Sequence, residues 1–379
     1  MASLHLEYAM ASSQSEQSNG NVGAWRMLDA SANRVAEAIR VLEDALRFML
    51  DDAHLARLAK AIRHELAVVL AGGECGQRIR LRDVPGDVGA GMTAARTPPR
   101  ATLTDLIAAN AARGSQALRS LEECGRLVVP DTVAAFEQLR YRLYTLERAA
   151  LTAVASQNRL ADVRLCVLLT TGSSEETFCS LLDQLLTAGV GMLQLRDKTA
   201  SLPLLCQRTA AAVAFTRRHA EASGGPRCLV IVNDRADVAL ATGADGVHLG
   251  ADDLPVPLAR RICGPQLLVG RTAHSLKEAE QAVLDGADYL GVGPCFPSTT
   301  KDFSSFAPRD FLRQVAAEVS LPAFAIGGVR PDRLDELASL GVNRLAVSAA
   351  IVAAADPAAV VRQFSQWLKT QAQPQQAVV

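Results

Sequence analysis

Val190-Gly191-Met192-Leu193-Gln194-Leu195-Arg196-Asp197-Lys198 is an apolar run that stops in an amide and two cations. The apolar part reads as a buried strand. Gln194, Arg196 and Lys198 alternate, so an extended backbone turns them to one face. Such groups are costly in a core without partners, and they suit a face that meets an anion. Other apolar runs stop in similar groups: Asn233-Asp234, His248, Thr272, Lys301, Gly327-Gly328 and Ser348. The recurrence predicts one anion site built from the ends of many strands.

Working outward, eight short apolar runs are candidate strands, at 165–169, 192–195, 229–232, 246–249, 267–269, 289–292, 323–326 and 345–347. Helical patterns separate them. Continuous apolar strands alternating with helices imply a parallel sheet covered on its outer face. Eight such units predict a closed TIM-type (β/α)8 barrel with its site at the carboxyl ends of the strands. A doubly wound open sheet is the competing architecture, and it would put the site at one switch point.

Ahead of the barrel the pattern is mainly α-helical. Val35, Ile39, Leu42 and Leu46 recur at helical spacing, with Ala38, Ala45 and Met49 widening the stripe. Residues 103–127 and 133–154 read the same way, and the Gly-, Pro- and Arg-rich stretch 72–99 reads as loop. The expected division is a disordered tail over 1–24, a helical domain over 25–155, the barrel over 159–370 and a second tail over 371–379. The helical part contains an echo. Arg34-x-x-Glu37-x-x-Arg40-x-x-Glu43-Asp44 is matched by Arg113-x-x-Gln116-x-x-Arg119-x-x-Glu122-Glu123. Periodicity alone makes these two solvated helix faces laced with ion pairs.

Composition narrows the function. With 49% hydrophobic and 21% charged residues and a net charge of -1, no global field draws the chain to nucleic acid or to an anionic membrane. Aromatic residues are sparse at 4%, which argues against base stacking. The eight cysteines are scattered without CxxC spacing, as expected of reduced thiols in a cytoplasmic protein. The first residues lack a basic stretch followed by an apolar core, so no secretory leader is expected. No apolar run approaches the roughly 20 residues that span a bilayer. Small-molecule substrates are the expected partners, and a homo-oligomer is allowed.

Asp234 follows the third strand and Asp253 the fourth. Two carboxylates at neighbouring strand ends can hold one divalent cation, magnesium by preference when phosphate is near. Taken singly, each would read as a helix N-cap, and Asp252 could stand in for Asp253. Gly293-Pro294-Cys295-Phe296-Pro297-Ser298-Thr299-Thr300-Lys301 offers hydroxyls, N–H groups and a cation after strand six. Gly327-Gly328 permits close backbone approach to a ligand. Ser348 opens a helix after strand eight, in a region where such barrels recurrently bind phosphate. The residues thus predict two anion subsites. Arg196, Lys198, Lys301 and a metal would line one, fit for a diphosphate. Gly328 and Ser348 would line the other, fit for a monophosphate. No Ser-His-Asp set is evident, so charge stabilisation of a leaving diphosphate is the expected source of catalysis.

QLRDK, VNDR, HLGADD, GRTAHS, GADYLGVGPCFPSTTK, IGGV and VSAA, in this order over residues 164–368, closely resemble thiamine-phosphate synthase. The resemblance implies a transferase that joins hydroxymethylpyrimidine diphosphate to hydroxyethylthiazole phosphate, with diphosphate leaving. It implies that Gln194, Leu195, Arg196, Asp197, Lys198, Asn233, Thr272 and Lys301 hold the pyrimidine diphosphate. Ser298, Thr299, Thr300, Gly328, Val347 and Ser348 would hold the thiazole phosphate. Asp234 and Asp253 would bind one Mg2+ per barrel, and Arg196, Lys198 and Lys301 would carry catalysis. Thr272 stands where the family often has Ser, and Ala251-Asp252 replaces a more usual Gln-Glu. The helical part is similar to a domain found ahead of this synthase in some bacteria, at Asp29-x-x-x-Asn33-Arg34, the Glu37-to-Phe48 stretch, Arg82-Asp83-Val84 and Asp87-Val88-Gly89. That resemblance implies a hydroxymethylpyrimidine-phosphate kinase using ATP, although no P-loop or kinase Gly-rich loop is visible; a regulatory or structural role is the alternative. Two readings compete with the synthase. One is a sugar-phosphate isomerase or lyase with His248 and Asp252 as acid and base; the other is a ligand sensor on a catalytically inert barrel.

Overall fold

The computed structural model describes residues 2–88, 99–172, 174–297 and 307–371, with side chains from Val22 onward. The chain divides into two compact units, Met1–Leu151 and Thr152–Val379.

The first unit is helical: α1 (Ala2–Phe48), α2 (Ala53–Ala71), a 3-10 helix (Gly73–Leu81), α3 (Leu103–Val128) and the body of α4 (Val133–Arg159). The stretch read as an N-terminal tail is therefore helix in the structure. It holds no proline, and its Ser, Gln and Asn residues lower helix propensity without forbidding it. The polar junction at 155–158 likewise continues α4, and residues 372–379 lie outside the described chain. Asp52 starts α2 by accepting from the Leu55 N–H (2.7 Å). Thr102 and Asp105 form a capping box on α3. Val35, Ala38, Ile39, Leu42, Ala45 and Leu46 are buried as their spacing predicts. Met49 is 52% exposed, because α1 has already ended at Phe48. The 3-10 helix occupies part of the stretch expected to be loop. Arg78 holds it by donating to the carbonyls of Leu70 (2.6 Å) and Cys75 (3.1 Å).

The sequence echo is a repeated ion-pair design. Glu43 meets Arg40 one turn back and Arg63 on α2 (2.7 Å). Glu122 meets Arg119 one turn back (2.8 Å) and Arg140 on α4 (2.5 Å). Only 1% of the Glu122 side chain is exposed. Burial works to raise its carboxyl, but hydrogen bonds from Arg140 and Arg119 outweigh it and hold the group below the ordinary value. Its stabilisation is complete above the unfolded-state value of about 4.3 and is lost as pH falls through the lower folded-state value. Glu122→Ala leaves the largely buried Arg140 with only a long contact to the exposed Glu137 (3.9 Å), and should cost about 3 kcal/mol in chemical denaturation of the full chain. A loss under about 1 kcal/mol would make the pair a surface ornament.

The second unit closes on itself as a parallel barrel in the order β1-β2-β3-β4-β5-β6-β7-β8, which removes the open-sheet alternative. The strands are Leu165–Leu169, Met192–Leu195, Leu229–Asn233, Gly246–Leu249, Leu268–Ala273, Tyr289–Val292, Ala323–Ile326 and Leu345–Val347. Helices fill the intervals, among them α5 (Glu175–Thr187), α6 (Leu202–Ser223), α7 (Ala236–Thr242) and α8 (Val256–Cys263). β3 runs on to Asn233, and β5 runs four residues past its predicted end at 269, to Ala273. Leu249 and Thr272 find partners in Arg271 and Gly291, so the ladder continues through polar positions that end the apolar run. Cys166, Met192, Ile231, Leu268, Tyr289, Phe324 and Ala346 pack inside the barrel, with Leu160 and Val163 at one end of the cluster. Two Gly-Ala-Asp turns set register. Asp245 accepts from the Val230 N–H (2.8 Å), and Asp288 from the Val269 N–H (2.7 Å). Among the described residues no helix is long and apolar enough to cross a membrane.

Candidate active site

The carboxyl ends of β2 to β5 bring the predicted polar groups to one rim. Gln194 is buried on β2, and the Arg196 N–H extends the β1 ladder by donating to the Leu169 carbonyl (2.7 Å). Arg196 and Lys198 lie close enough to act electrostatically on Asp234, and Lys198 also acts on Asp253. Leu195 and Val347 are buried strand residues within the barrel ladder.

Asp197 has a different task from its neighbours. Its Oδ1 accepts from the Thr199 N–H (2.9 Å), the Thr199 hydroxyl (2.8 Å) and the Ala200 N–H (3.0 Å). Its Oδ2 accepts from the Thr171 N–H (3.0 Å) and hydroxyl (2.7 Å). Burial opposes ionisation, yet these bonds, led by Thr171, hold the carboxyl well below the usual range. Asp197 thus ties the loop that carries Lys198 to the end of β1. Its expected place among the substrate contacts gives way to an organising one, because both oxygens are already engaged.

Asp234 sits at φ 64 in the left-handed region, where a non-glycine residue is strained by about 1 kcal/mol or more. Its N–H donates to the His248 carbonyl (2.8 Å). Neither Asp234 nor Asp253 caps a helix: the N-cap positions of α7 and α8 are Arg235 and Pro255, with no side-chain cap. Asp253 instead accepts from the Gly250 N–H (2.7 Å) in its own loop. The two carboxyl groups lie close enough that each acts on the other's ionisation. Burial, then the Asp253 carboxylate, pushes Asp234 up to about 6. Two neighbouring acids, with no ion-pair partner among the described residues, are a ready seat for a cation. Asp252 takes no part in that contact, so Asp253 is the better-placed oxygen donor. No third His, Cys, Asp or Glu joins them among the described residues. A hard divalent ion here would complete its shell with water and phosphate oxygens.

His248 lies inside the rim. Its Nε2 hydrogen-bonds the Thr272 hydroxyl (3.0 Å), and its ring packs on Tyr289 with centroids 5.4 Å apart. Burial lowers its pKa to about 4, so it is neutral at physiological pH. Buried, neutral and bonded to Thr272, His248 reads as part of the packed interior layer of the barrel. Gly270 makes this layer fit: a Cβ there would lie 2.2 Å from Tyr289 Cζ and 2.6 Å from His248 Nδ1.

On the far side of the rim, Gly328 has φ +63, and a Cβ there would meet the Pro297 carbonyl oxygen at 2.3 Å. The Cys295 and Phe296 N–H groups donate to the carbonyls of Ile326 (2.9 Å) and Gly327 (3.0 Å). The close approach that the glycine pair permits is thus to the protein's own loop after β6. The Ser348 hydroxyl donates to the Leu168 carbonyl (3.1 Å) and joins β8 to β1. Ser298, Thr299, Thr300 and Lys301 lie outside the described residues.

Two groups that strand-end reasoning passed over also shape the rim. Arg271 donates to the carbonyls of Gly250 (2.6 Å) and Ala251 (3.2 Å), fixing the loop that carries Asp253. His274 Nδ1 meets the Gly293 carbonyl (2.5 Å) at the start of the loop after β6. Both fall within the GRTAHS stretch, whose polar density was the available signal.

Comparison with known proteins follows the same division. Residues 165–351 match the family described as thiamine monophosphate synthase, and residues 26–149 match the ThiD2 family. The thiamine-phosphate synthase of Rhodopirellula baltica is 38% identical over 337 residues, covering 86% of this chain and 88% of that protein. The thiamine-phosphate synthase of Gloeobacter violaceus is 39% identical over 340 residues, covering 89% of this chain and 95% of its own. Among solved structures, the thiamine phosphate pyrophosphorylase from Pyrococcus furiosus is 30% identical with a TM-score of 0.48, covering 56% of this chain and 98% of its own.

Proposed function

The chain belongs to the thiamine-phosphate synthase family, and from that premise we propose that its barrel joins hydroxymethylpyrimidine diphosphate to hydroxyethylthiazole phosphate. The carbon–oxygen bond between the pyrimidine methylene and diphosphate breaks, and its electron pair leaves with diphosphate. The thiazole nitrogen supplies the pair for the new carbon–nitrogen bond. That nitrogen carries no proton, so no general base is required. A neutral His248 is consistent with this.

The observation that carries the reading is the Asp234–Asp253 pair beside Arg196 and Lys198 at adjacent strand ends. Arg196 and Lys198, with Lys301, stabilise the charge that develops on the leaving diphosphate. Gln194, Asn233 and Thr272 orient the pyrimidine. Asp197 and Arg271 hold the loops that bear Lys198 and Asp253. Asp234 and Asp253 would hold one Mg2+, which when bound neutralises diphosphate oxygens. The loop after β6, with Gly328 and Ser348, would receive the thiazole phosphate. Eight free cysteines fit a reducing, cytoplasmic setting.

We infer further that the helical unit phosphorylates hydroxymethylpyrimidine phosphate. Its terminal phosphate oxygen would attack the γ-phosphorus of ATP, with ADP leaving, to give the diphosphate that the barrel consumes. A chain beginning at Thr152 tests this division. It keeps the bonds from Ser156 to Asp288 (3.2 Å) and from Gln157 to the Ser320 carbonyl (3.0 Å). It should make thiamine phosphate from the pyrimidine diphosphate but not from the monophosphate with ATP. The full chain should do both. Failure of the full chain with monophosphate and ATP removes the kinase reading and leaves the synthase reading standing.

A further inference from the structure

The helical unit contains a cavity of about 770 Å³ lined by residues of α1, α2 and the 3-10 helix. That is within the usual size range of small-molecule sites. One part of its wall is apolar, with Ala36, Leu66 and Leu70. The polar part is Asn33, Glu37, Arg40, Arg63 and Arg78. Three arginines face one glutamate there, so the lining favours an anion.

These arginines are held in place by groups outside the lining. Glu43 fixes Arg63 (2.7 Å). Asp29, itself gripped by Arg82 (2.6 and 3.0 Å), lies 3.6 Å from Arg78 Nε. That Nε is buried and makes no hydrogen bond. Arg40 is 57% exposed and has only long contacts, to Glu43 (3.9 Å) and Asp44 (3.6 Å). Glu37 has no ion-pair partner among the described residues.

The echo in α3 and α4 supplies an internal comparison. There the matching carboxylate, Glu122, takes up Arg119 and Arg140. Tyr141 and Tyr144 cover the Arg140 guanidinium at 4.8 and 5.7 Å. Gln116 stands in place of Glu37. The same ion-pair design is closed over by aromatic rings in one copy and borders a cavity in the other. Stability explains the closed copy. It leaves unexplained the open copy's free carboxylate and its apolar wall.

We propose that this cavity binds a phosphate ester of a flat nitrogen heterocycle. The phosphate would sit against Arg40, Arg63 and Arg78, and the ring against Ala36, Leu66 and Leu70. Glu37 and Asn33 can pair with ring nitrogens or an exocyclic amine. The choice of heterocycle rests on the kinase reading, which offers the aminopyrimidine monophosphate and ATP. Both have this chemistry.

Hydrogen–deuterium exchange of the full chain separates the helical unit from the barrel in one measurement. The protein is exposed in turn to the aminopyrimidine monophosphate, ATP and inorganic phosphate. The monophosphate or ATP should slow exchange in peptides covering 32–43 and 63–80, and the effective one identifies the source. Glu37→Ala and Arg40→Ala should each raise the concentration needed by about tenfold, whereas Arg119→Ala on the closed copy should leave it unchanged. Absence of protection by both esters, or equal protection by inorganic phosphate alone, overturns the site. Formation of pyrimidine diphosphate by the same wild-type protein is assayed in parallel. Turnover without protection removes this site and keeps the kinase reading; protection without turnover does the reverse.

Discussion

Replacing Asp234 and Asp253 together by asparagine should lower thiamine phosphate formation by about a thousandfold or more, with the fold retained. The substitution keeps shape and removes both charged oxygen donors of the acid pair at the rim, so a divalent ion loses its seat. Stability should rise or stay level, because burial and the neighbouring Asp253 carboxylate both oppose the charge on Asp234 when no cation lies between them. Turnover is measured with saturating substrates over a magnesium titration, and folding by thermal denaturation. Wild-type turnover in the double variant would sink the assignment of these residues to metal. A loss matched by unfolding would reassign them to structure.

Lys198→Ala should lower kcat by about a hundredfold or more and change KM much less. Lys198 stands beside the acid pair, on a loop that Asp197 clamps through five hydrogen bonds. A cation held in place this way acts most on charge that develops as diphosphate departs. Steady-state kinetics with the pyrimidine diphosphate varied decides the matter. An unchanged kcat with a raised KM would mean that Lys198 binds ground state and transition state alike.

Much of this was legible in the chain because burial leaves a one-dimensional trace. The barrel strands are largely hidden on both faces, so each shows as a short, mainly apolar run, and all eight were visible. The ends of β3 and β5 were not. Asn233, Arg271 and Thr272 stay in the ladder although they are polar, since backbone pairing is indifferent to side-chain polarity. The gathering of polar groups at one rim was legible from the strand ends, but which of them engage neighbouring loops was not. Whether Asp197 meets ligand or loop depends on Thr171, which lies 26 residues away. Likewise the 3-10 helix depends on Arg78 and Asp29 coming together across the fold. The repeated Arg–Glu pattern was plain in sequence, while its two outcomes rest on Tyr141 and Tyr144 in one copy and a cavity in the other.

The most direct test of the central claim is the stoichiometry of the barrel reaction. The full chain is incubated with pyrimidine diphosphate, thiazole phosphate and Mg2+, and thiamine phosphate and diphosphate are quantified together. The account predicts that the two products appear in equal amounts, that neither forms when the thiazole phosphate is left out, and that chelating the metal stops both. Absence of thiamine phosphate, or diphosphate release that is independent of the thiazole phosphate, would contradict it.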